Sequence, residues 1–222
     1  MATFKSTPVA SDVKNSIDNQ TFSKWRGLGV VKKKINENTS ETLPQQQQRA
    51  RMATAYKLCR LLAPASAIGF PRRPQVQDAN NTFMSLNTRK KVLTVGTDRD
   101  EDGNLEVTVN FPQIRCAKGW IILPEGLTAT KNTESHTLTF THEAEEDGTD
   151  MHASDKLYAL VVETARWNSK LFELNTRADG EPAEVSLPAK WDMDALEVYV
   201  FALTEDGNTA SDSMYLTVEE GS

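Results

Sequence analysis

The chain has 222 residues, of which 38% are hydrophobic and 25% charged, enough for one large domain or two small ones with real cores. No apolar run approaches the roughly 18 residues a membrane helix needs, so no membrane insertion is expected. Cys59 and Cys116 are too few for a disulfide framework or a four-thiolate zinc site. The net charge of −6 hides a division: residues 1–91 carry 16 Lys/Arg against 5 Asp/Glu, and residues 92–222 carry 9 against 26. The halves are therefore +11 and −17. Such a split suits a basic nucleic-acid arm on an acidic body, or a head-to-tail polymer in which the basic half of one copy meets the acidic half of the next.

In chain order, Met1 to Ser11 lacks the apolar centre of a secretory signal, so synthesis in the cytoplasm is expected. Residues 1–20 are polar and read as an extended arm. Thr21 to Ile35 holds Phe22, Trp25, Leu28, Val30 and Val31 among Lys and Arg, broken by Gly27 and Gly29, and reads as a short hairpin or an irregular strand pair. A helix follows over Gln45 to Ala63, with Thr42 or Leu43 as N-cap and Pro44 in the first turn. Met52, Tyr56, Cys59 and Ala63 form its expected buried stripe, and Pro64 ends it. A second short helix is expected over Gln75 to Thr88, with Val76, Ala79, Phe83 and Leu86 on one face.

After Arg89 the period becomes two. Lys91 to Val95, Leu105 to Phe111 and Trp120 to Leu123 read as β runs. Strands are then expected near 127–131, 136–142, 156–164, 170–177, 183–187, 195–204 and 213–218. Asp147-Gly148, Asp179-Gly180 and Asp206-Gly207 mark turns between them. In the strand 195–204, Val198 and Val200 share one face and Tyr199 and Phe201 the other, so it is expected to be central and covered on both sides. The fold class is thus mainly β, with an N-terminal helical or extended region and a C-terminal immunoglobulin or fibronectin type III-like sandwich. The expected parts are an arm at 1–43, a helical segment at 44–91, a β linker region at 92–126 and a separable sandwich at 127–222.

Chemistry-bearing motifs are few. Asp98-x-Asp100-x-Asp102-Gly103-Asn104 copies the start of a calcium loop, but position twelve is Val109 and strands flank it. Asp98, Asp100, Asp102 and Asn104 are candidate Ca²⁺ ligands; an acidic hairpin tip is the alternative. His136, His142 and His152 have no zincin spacing. No nucleophile elbow, phosphate loop or dinucleotide fingerprint occurs, so no enzyme activity and no other cofactor is expected. Phe22, Trp25, Arg26, Val30, Val31, Arg49 and Arg51 combine aromatic, aliphatic and Arg side chains of the kind that dominate interfaces, and form the candidate assembly interface. Lys32 to Lys34, Arg49, Arg51, Arg72, Arg73 and Arg89 to Lys91 suit phosphate neutralisation, with Trp25 and Phe22 as stacking platforms.

Several short segments together resemble a large uncharacterised family of Bacteroidota proteins: Trp25-Arg26-Gly27, Gln45 to Arg49, Ile68-Gly69-Phe70, Asp206-Gly207, and Ser211-Asp212-Ser213-Met214-Tyr215-Leu216. That family has an N-terminal W-K/R-G turn and a Q-Q-x-x-R helix before a C-terminal Ig-like domain. The present sequence departs from it where Ser11 to Phe22 replaces a Gly-rich leader. The resemblance implies a phage, mobile-element or surface-assembly component without enzymatic activity. The expected function is a non-enzymatic structural subunit of a self-assembling, virion-associated particle or filament, found in the virion or an extracellular assembly. Its expected partners are itself, as a homo-oligomer, and other particle subunits. Two alternatives stay open: a nucleic-acid-associated protein using the basic half, and a glycan- or protein-binding module using sandwich loops.

Overall fold

A computed structural model describes residues 2–4, 15–17, 19–25, 28–34, 41–72 and 78–221. Backbone packing divides the chain into two compact units, Met1–Gln45 and Gln46–Ser222.

The first unit is a four-stranded antiparallel sheet in the order β1-β4-β3-β2: β1 (Ala2–Phe4), β2 (Asn15–Ile17), β3 (Gln20–Trp25) and β4 (Leu28–Lys33). The expected hairpin is present as β3–β4. The segment read as an arm contributes the two edge strands β1 and β2 instead. Phe22 pairs with Val31 and Ser23 with Val30. Because side chains alternate along a strand, Val31 and Val30 face opposite sides. Val30 is buried, whereas Phe22 and Val31 are half-buried.

The second unit begins in α1 (Leu43–Leu61), followed by α2 (Ala63–Gly69) and α3 (Ala79–Asn87). Pro64 ends α1 and sits in the first turn of α2, where its missing N–H is not needed. Asp78 caps α3, accepting the Asn81 amide at 2.7 Å. Residues 75–77 of the expected second helix lie outside the described residues. Arg51, Ala55 and Leu58 of α1 form a buried stripe that Leu62, just past its end, continues, with Cys59 and Leu61 also buried. This is the expected spacing moved back by one residue, a rotation of about 100°. Met52 and Tyr56 are consequently 43% and 57% exposed. The pattern misled because Arg51 reads as a solvent residue. Instead its Nε donates to the Leu93 carbonyl at 3.2 Å and its Nη1 to Gln48 Oε1 at 2.8 Å, so the side chain is satisfied under cover.

A hairpin of β5 (Leu93–Arg99) and β6 (Leu105–Val109) and a short 3₁₀ turn, Phe111–Gln113, lead into the main β structure. The expected run Trp120 to Leu123 forms only a single bridge, Ile121 to Ser211. Seven further strands and a split partner follow: β7 (Thr128–Asn132), β8 (Thr137–Thr141), β9 (Lys156–Glu163), β10 (Asn168–Thr176), β11 (Ala183–Ser186), β12 (Leu196–Leu203), β13 (Met214–Leu216) and β14 (Val218–Glu220). One sheet has the order β10-β9-β12-β13 and the other β11-β8-β7-β14. The expected strand 213–218 is divided: β13 pairs with β12, and β14 crosses to run parallel to β7.

Alternation decides what each face meets. Ala159, Val161, Val198 and Val200 join Leu138, Phe140 and Val185 in a core shared by the two sheets. Leu160, Val162, Tyr199 and Phe201 point the other way, into a second core with Leu58, Leu62, Phe70 and Phe83 of the helical segment. The layers are therefore helices, sheet, sheet. β9 and β12 are covered on both sides, as the pattern of 195–204 implied.

Candidate assembly surface

The candidate interface residues are divided between the two units, and within neither unit do they share one face. Phe22, Val30 and Val31 lie in the N-terminal sheet, on two faces. Trp25 ends β3 and pairs with Leu28, its side chain lying outside the described residues, as does all of Arg26. Arg49 is on the exposed side of α1. Arg51 is buried and engaged within its own chain.

The calcium-like loop is the turn of the β5–β6 hairpin. There Asp100 accepts the Asn104 amide at 2.7 Å, an Asx-type closure. Arg99 Nη1 donates to the Gly103 carbonyl at 2.5 Å. Among the described residues, no three His, Cys, Asp or Glu side chains converge to hold a metal. Burial pushes the Cys116 thiol up to about 12 and raises that of Cys59, which the Asp78 charge raises further. Neither cysteine is poised as a thiolate.

The double sheet has two chemically different ends. β9 starts at Lys156 and finishes at Glu163, so its seven residue-to-residue steps separate those ends by about 23 Å. At the Lys156 end lie the connections 142–155, 177–182 and 204–213, with eleven Asp/Glu against one Arg. That Arg177 is fully buried. Its Nη1 meets Glu145 Oε2 at 2.6 Å and its Nε lies 3.5 Å from Asp155 Oδ2. Its Nη2 donates to the carbonyl of Ile122. Arg177 thus folds the acidic loop around itself, while Glu143, Glu146 and Asp150 stay exposed. Hydrogen bonds from the Thr204 hydroxyl and from Asn208 hold Asp206 down at about 2. Two large apolar side chains are exposed at this end: Trp120 at 50% and Ile122 at 57%. The Ile122 amide donates to the Asp150 carbonyl at 3.3 Å, so Ile122 adjoins the carboxylates. Arg72 stands 5.6 Å from the centre of the Trp120 ring, and Arg115 pairs with Asp212 at 2.8 Å.

The Glu163 end carries the β9–β10 turn, residues 164–167. Its last residue, Trp167, has φ +56° and an indole 46% exposed. A left-handed backbone normally selects Gly or Asn, and a bulky residue there costs roughly 1–2 kcal/mol. The turn is pinned from below by buried Glu163, whose Oε2 accepts the Arg166 amide at 3.0 Å. Ser169 Oγ donates to the Leu61 carbonyl and brings the end of α1 alongside. One face of Trp167 lines a groove of about 440 Å³ with Lys57, Arg60 and Leu61. On the other side of the turn, Arg166, Lys170, Pro188, Lys190 and Trp191 line a groove of about 640 Å³. Lys57, Arg60, Arg166, Lys170 and Lys190 are exposed. None of the five is in an ion pair with another described residue. Glu134, Asp192 and Asp194 are the nearby loop acids, and Asp194 is engaged by Lys131 at 2.5 Å.

This cationic and aromatic tip was not singled out from the sequence. The available signal was Arg166-Trp167-Asn168 between two strands, a turn without glycine.

The structure is that of a mainly β protein backed by a short helical layer, with no helix among the described residues long and apolar enough to cross a membrane. The chain belongs to a family of unknown function (DUF6266), whose model matches residues 12–217. No curated protein and no solved structure matches it.

Proposed function

We propose that the protein is a non-enzymatic structural subunit of a self-assembling, virion-associated particle or filament that docks basic surface onto the acidic surface of its neighbours. The observation that carries this reading is the segregation of charge: unpaired cations flank one end of the double sheet, and eleven carboxylates in three connections crowd the other. Opposite-sign patches that cannot meet within one copy fix register and orientation between copies. The strand order supports an immunoglobulin or fibronectin type III-like body: β7, β8 and β11 form one sheet, β10, β9, β12 and β13 the other, and β14 returns parallel to β7. The phage or mobile-element setting rests on the resemblance to Bacteroidota proteins noted above.

In this reading the subunit works without a cofactor, is made in the cytoplasm and functions in the assembled particle. Nucleic acid is the second reading, favoured by the exposed indole of Trp167 among unpaired cations. The experiment is size-exclusion chromatography with negative-stain microscopy on nuclease-treated protein. Ordered multimers are expected. Protein that stays monomeric when concentrated, and assembles only when nucleic acid is added, overturns the first reading in favour of the second.

A further inference from the structure

Resting on that reading, we infer that copies join end to end, the Trp167 tip of one seating against the acidic loop 142–155 and Ile122 of the next. The two ends are opposite in charge and each exposes an apolar side chain. The tip presents an exposed indole flanked by Arg166 and Lys190 on one side and by Lys57 and Arg60 on the other. The opposite end presents exposed Ile122 next to Asp150, with Glu146 in the same loop. Indole on isoleucine supplies a desolvated centre, and carboxylates against guanidinium and ammonium groups supply the rim, which is the usual anatomy of a protein interface.

Among the described residues none of these cations is in an ion pair, because the carboxylates of the other end lie a full strand length away on the same sheet; Arg60 rests on the Tyr56 ring at 5.5 Å. The left-handed φ of Trp167 is the second pointer: a turn that would close more easily with glycine instead holds a large aromatic side chain outward. The two surfaces differ, so the contact is heterologous. It repeats without limit, giving a filament, unless the rotation between copies closes a ring.

The test uses the full chain, nuclease-treated. Trp167→Gly suits the backbone, so its melting midpoint is expected to equal or exceed the native one while self-association weakens at least tenfold in sedimentation. Arg166→Glu with Lys190→Glu removes one end, and Glu146→Lys with Asp150→Lys removes the other; each double variant is expected to stay monomeric alone. Mixed together they retain one intact pair of ends and are expected to form heterodimers. Native-like multimers in Trp167→Gly, or a mixture that stays monomeric while the native chain assembles, overturns the contact and leaves the assembly reading standing. A native chain that is monomeric at every concentration sinks both. If it is monomeric and a thymidine oligonucleotide quenches Trp167 fluorescence, the tip is a nucleic-acid site instead.

Discussion

The Ser213 hydroxyl accepts the backbone amide of Cys116 at 3.1 Å, and the Ser213 amide returns to the Ala117 carbonyl at 3.2 Å. Asp212 adds the Gly119 amide at 3.2 Å and the Arg115 guanidinium at 2.8 Å. From the other side the Gly69 carbonyl accepts the Lys118 amide at 2.9 Å. A Cβ on Gly69 would stand 2.6 Å from the Cys116 carbonyl oxygen. The short motifs around Gly69 and Ser213 therefore clamp one irregular segment, Arg115 to Gly119, between α2 and the edge of the sheet. Their role is architectural.

Gly69→Ala has backbone rather than a flexible side chain in its way, so it is expected to cost about 1–3 kcal/mol. Ser213→Ala leaves the partly buried Cys116 amide without its acceptor and is expected to cost about 1–3 kcal/mol. Urea unfolding of the two variants checks both. A midpoint unchanged by Gly69→Ala would mean that the segment moves aside freely.

Among the described residues Arg177 is the largest fully buried side chain, and its charge is balanced by Glu145 and Asp155. Arg177→Met removes the cation and strands two carboxylates under cover. The expected loss is about 3–5 kcal/mol, the usual consequence of breaking a buried pair from one side. Glu145→Gln keeps the shape and a hydrogen-bond acceptor and is expected to cost less. Denaturant titration of the two variants separates them, and equal losses would count against the charge argument.

Strand positions were legible because alternation and turn residues both point to them, and Tyr199 and Phe201 opposite Val198 and Val200 correctly announced a strand covered on both faces. The face of α1 was not legible, because Arg51 looks polar in sequence and is buried in space. Nor was the splitting of Phe22 and Val31 from Val30 into two faces, since apolar spacing alone does not fix pairing register. The acidic and basic halves were visible as sums. Which carboxylates gather at one end of the double sheet, and that Arg166, Lys170 and Lys190 of the acidic half gather at the other, depends on which loops share an end, and only strand pairing reveals that. Trp167 gave no sequence signal beyond an aromatic residue in a turn.

Alkaline pH is expected to destabilise the fold. Burial holds the Cys116 thiol and the Tyr215 phenol up at about 12 and raises the Tyr199 phenol. Their folded-state values lie above the ordinary ranges of about 8.5 for Cys and 10 for Tyr. The stability these neutral groups carry is complete below those ordinary values and is lost as pH rises towards 12, because the unfolded chain releases its protons first. Urea midpoints measured from pH 8 to 11 are expected to fall, and Cys116→Ala to flatten the fall between about pH 9 and 11. A midpoint that rises over that window would reverse the sign.

The last expectation concerns the boundary near Leu127. Sequence alternation made 127–222 look self-sufficient, and its inner core is indeed made by its own two sheets. Yet backbone packing keeps 46–222 as one unit, because Leu160, Val162, Tyr199 and Phe201 are all closed over by Leu58, Leu62, Phe70 and Phe83. Removing residues 1–126 would bare these four side chains, at roughly 2 kcal/mol each. A total of roughly 8 kcal/mol is comparable with the whole stability of an ordinary domain, about 5–15 kcal/mol. The Tyr199 hydroxyl would also lose its 3.0 Å bond to the Phe111 carbonyl. A fragment spanning 42–222, which keeps Thr42 ahead of α1, is therefore expected to unfold in one cooperative transition. The 127–222 fragment is expected to aggregate or to bind a hydrophobic dye in the absence of denaturant. Circular dichroism and dye fluorescence on the two fragments decide the matter. A soluble, cooperatively folded 127–222 monomer would place the true boundary where the sequence pattern put it and make the helical layer a detachable cover.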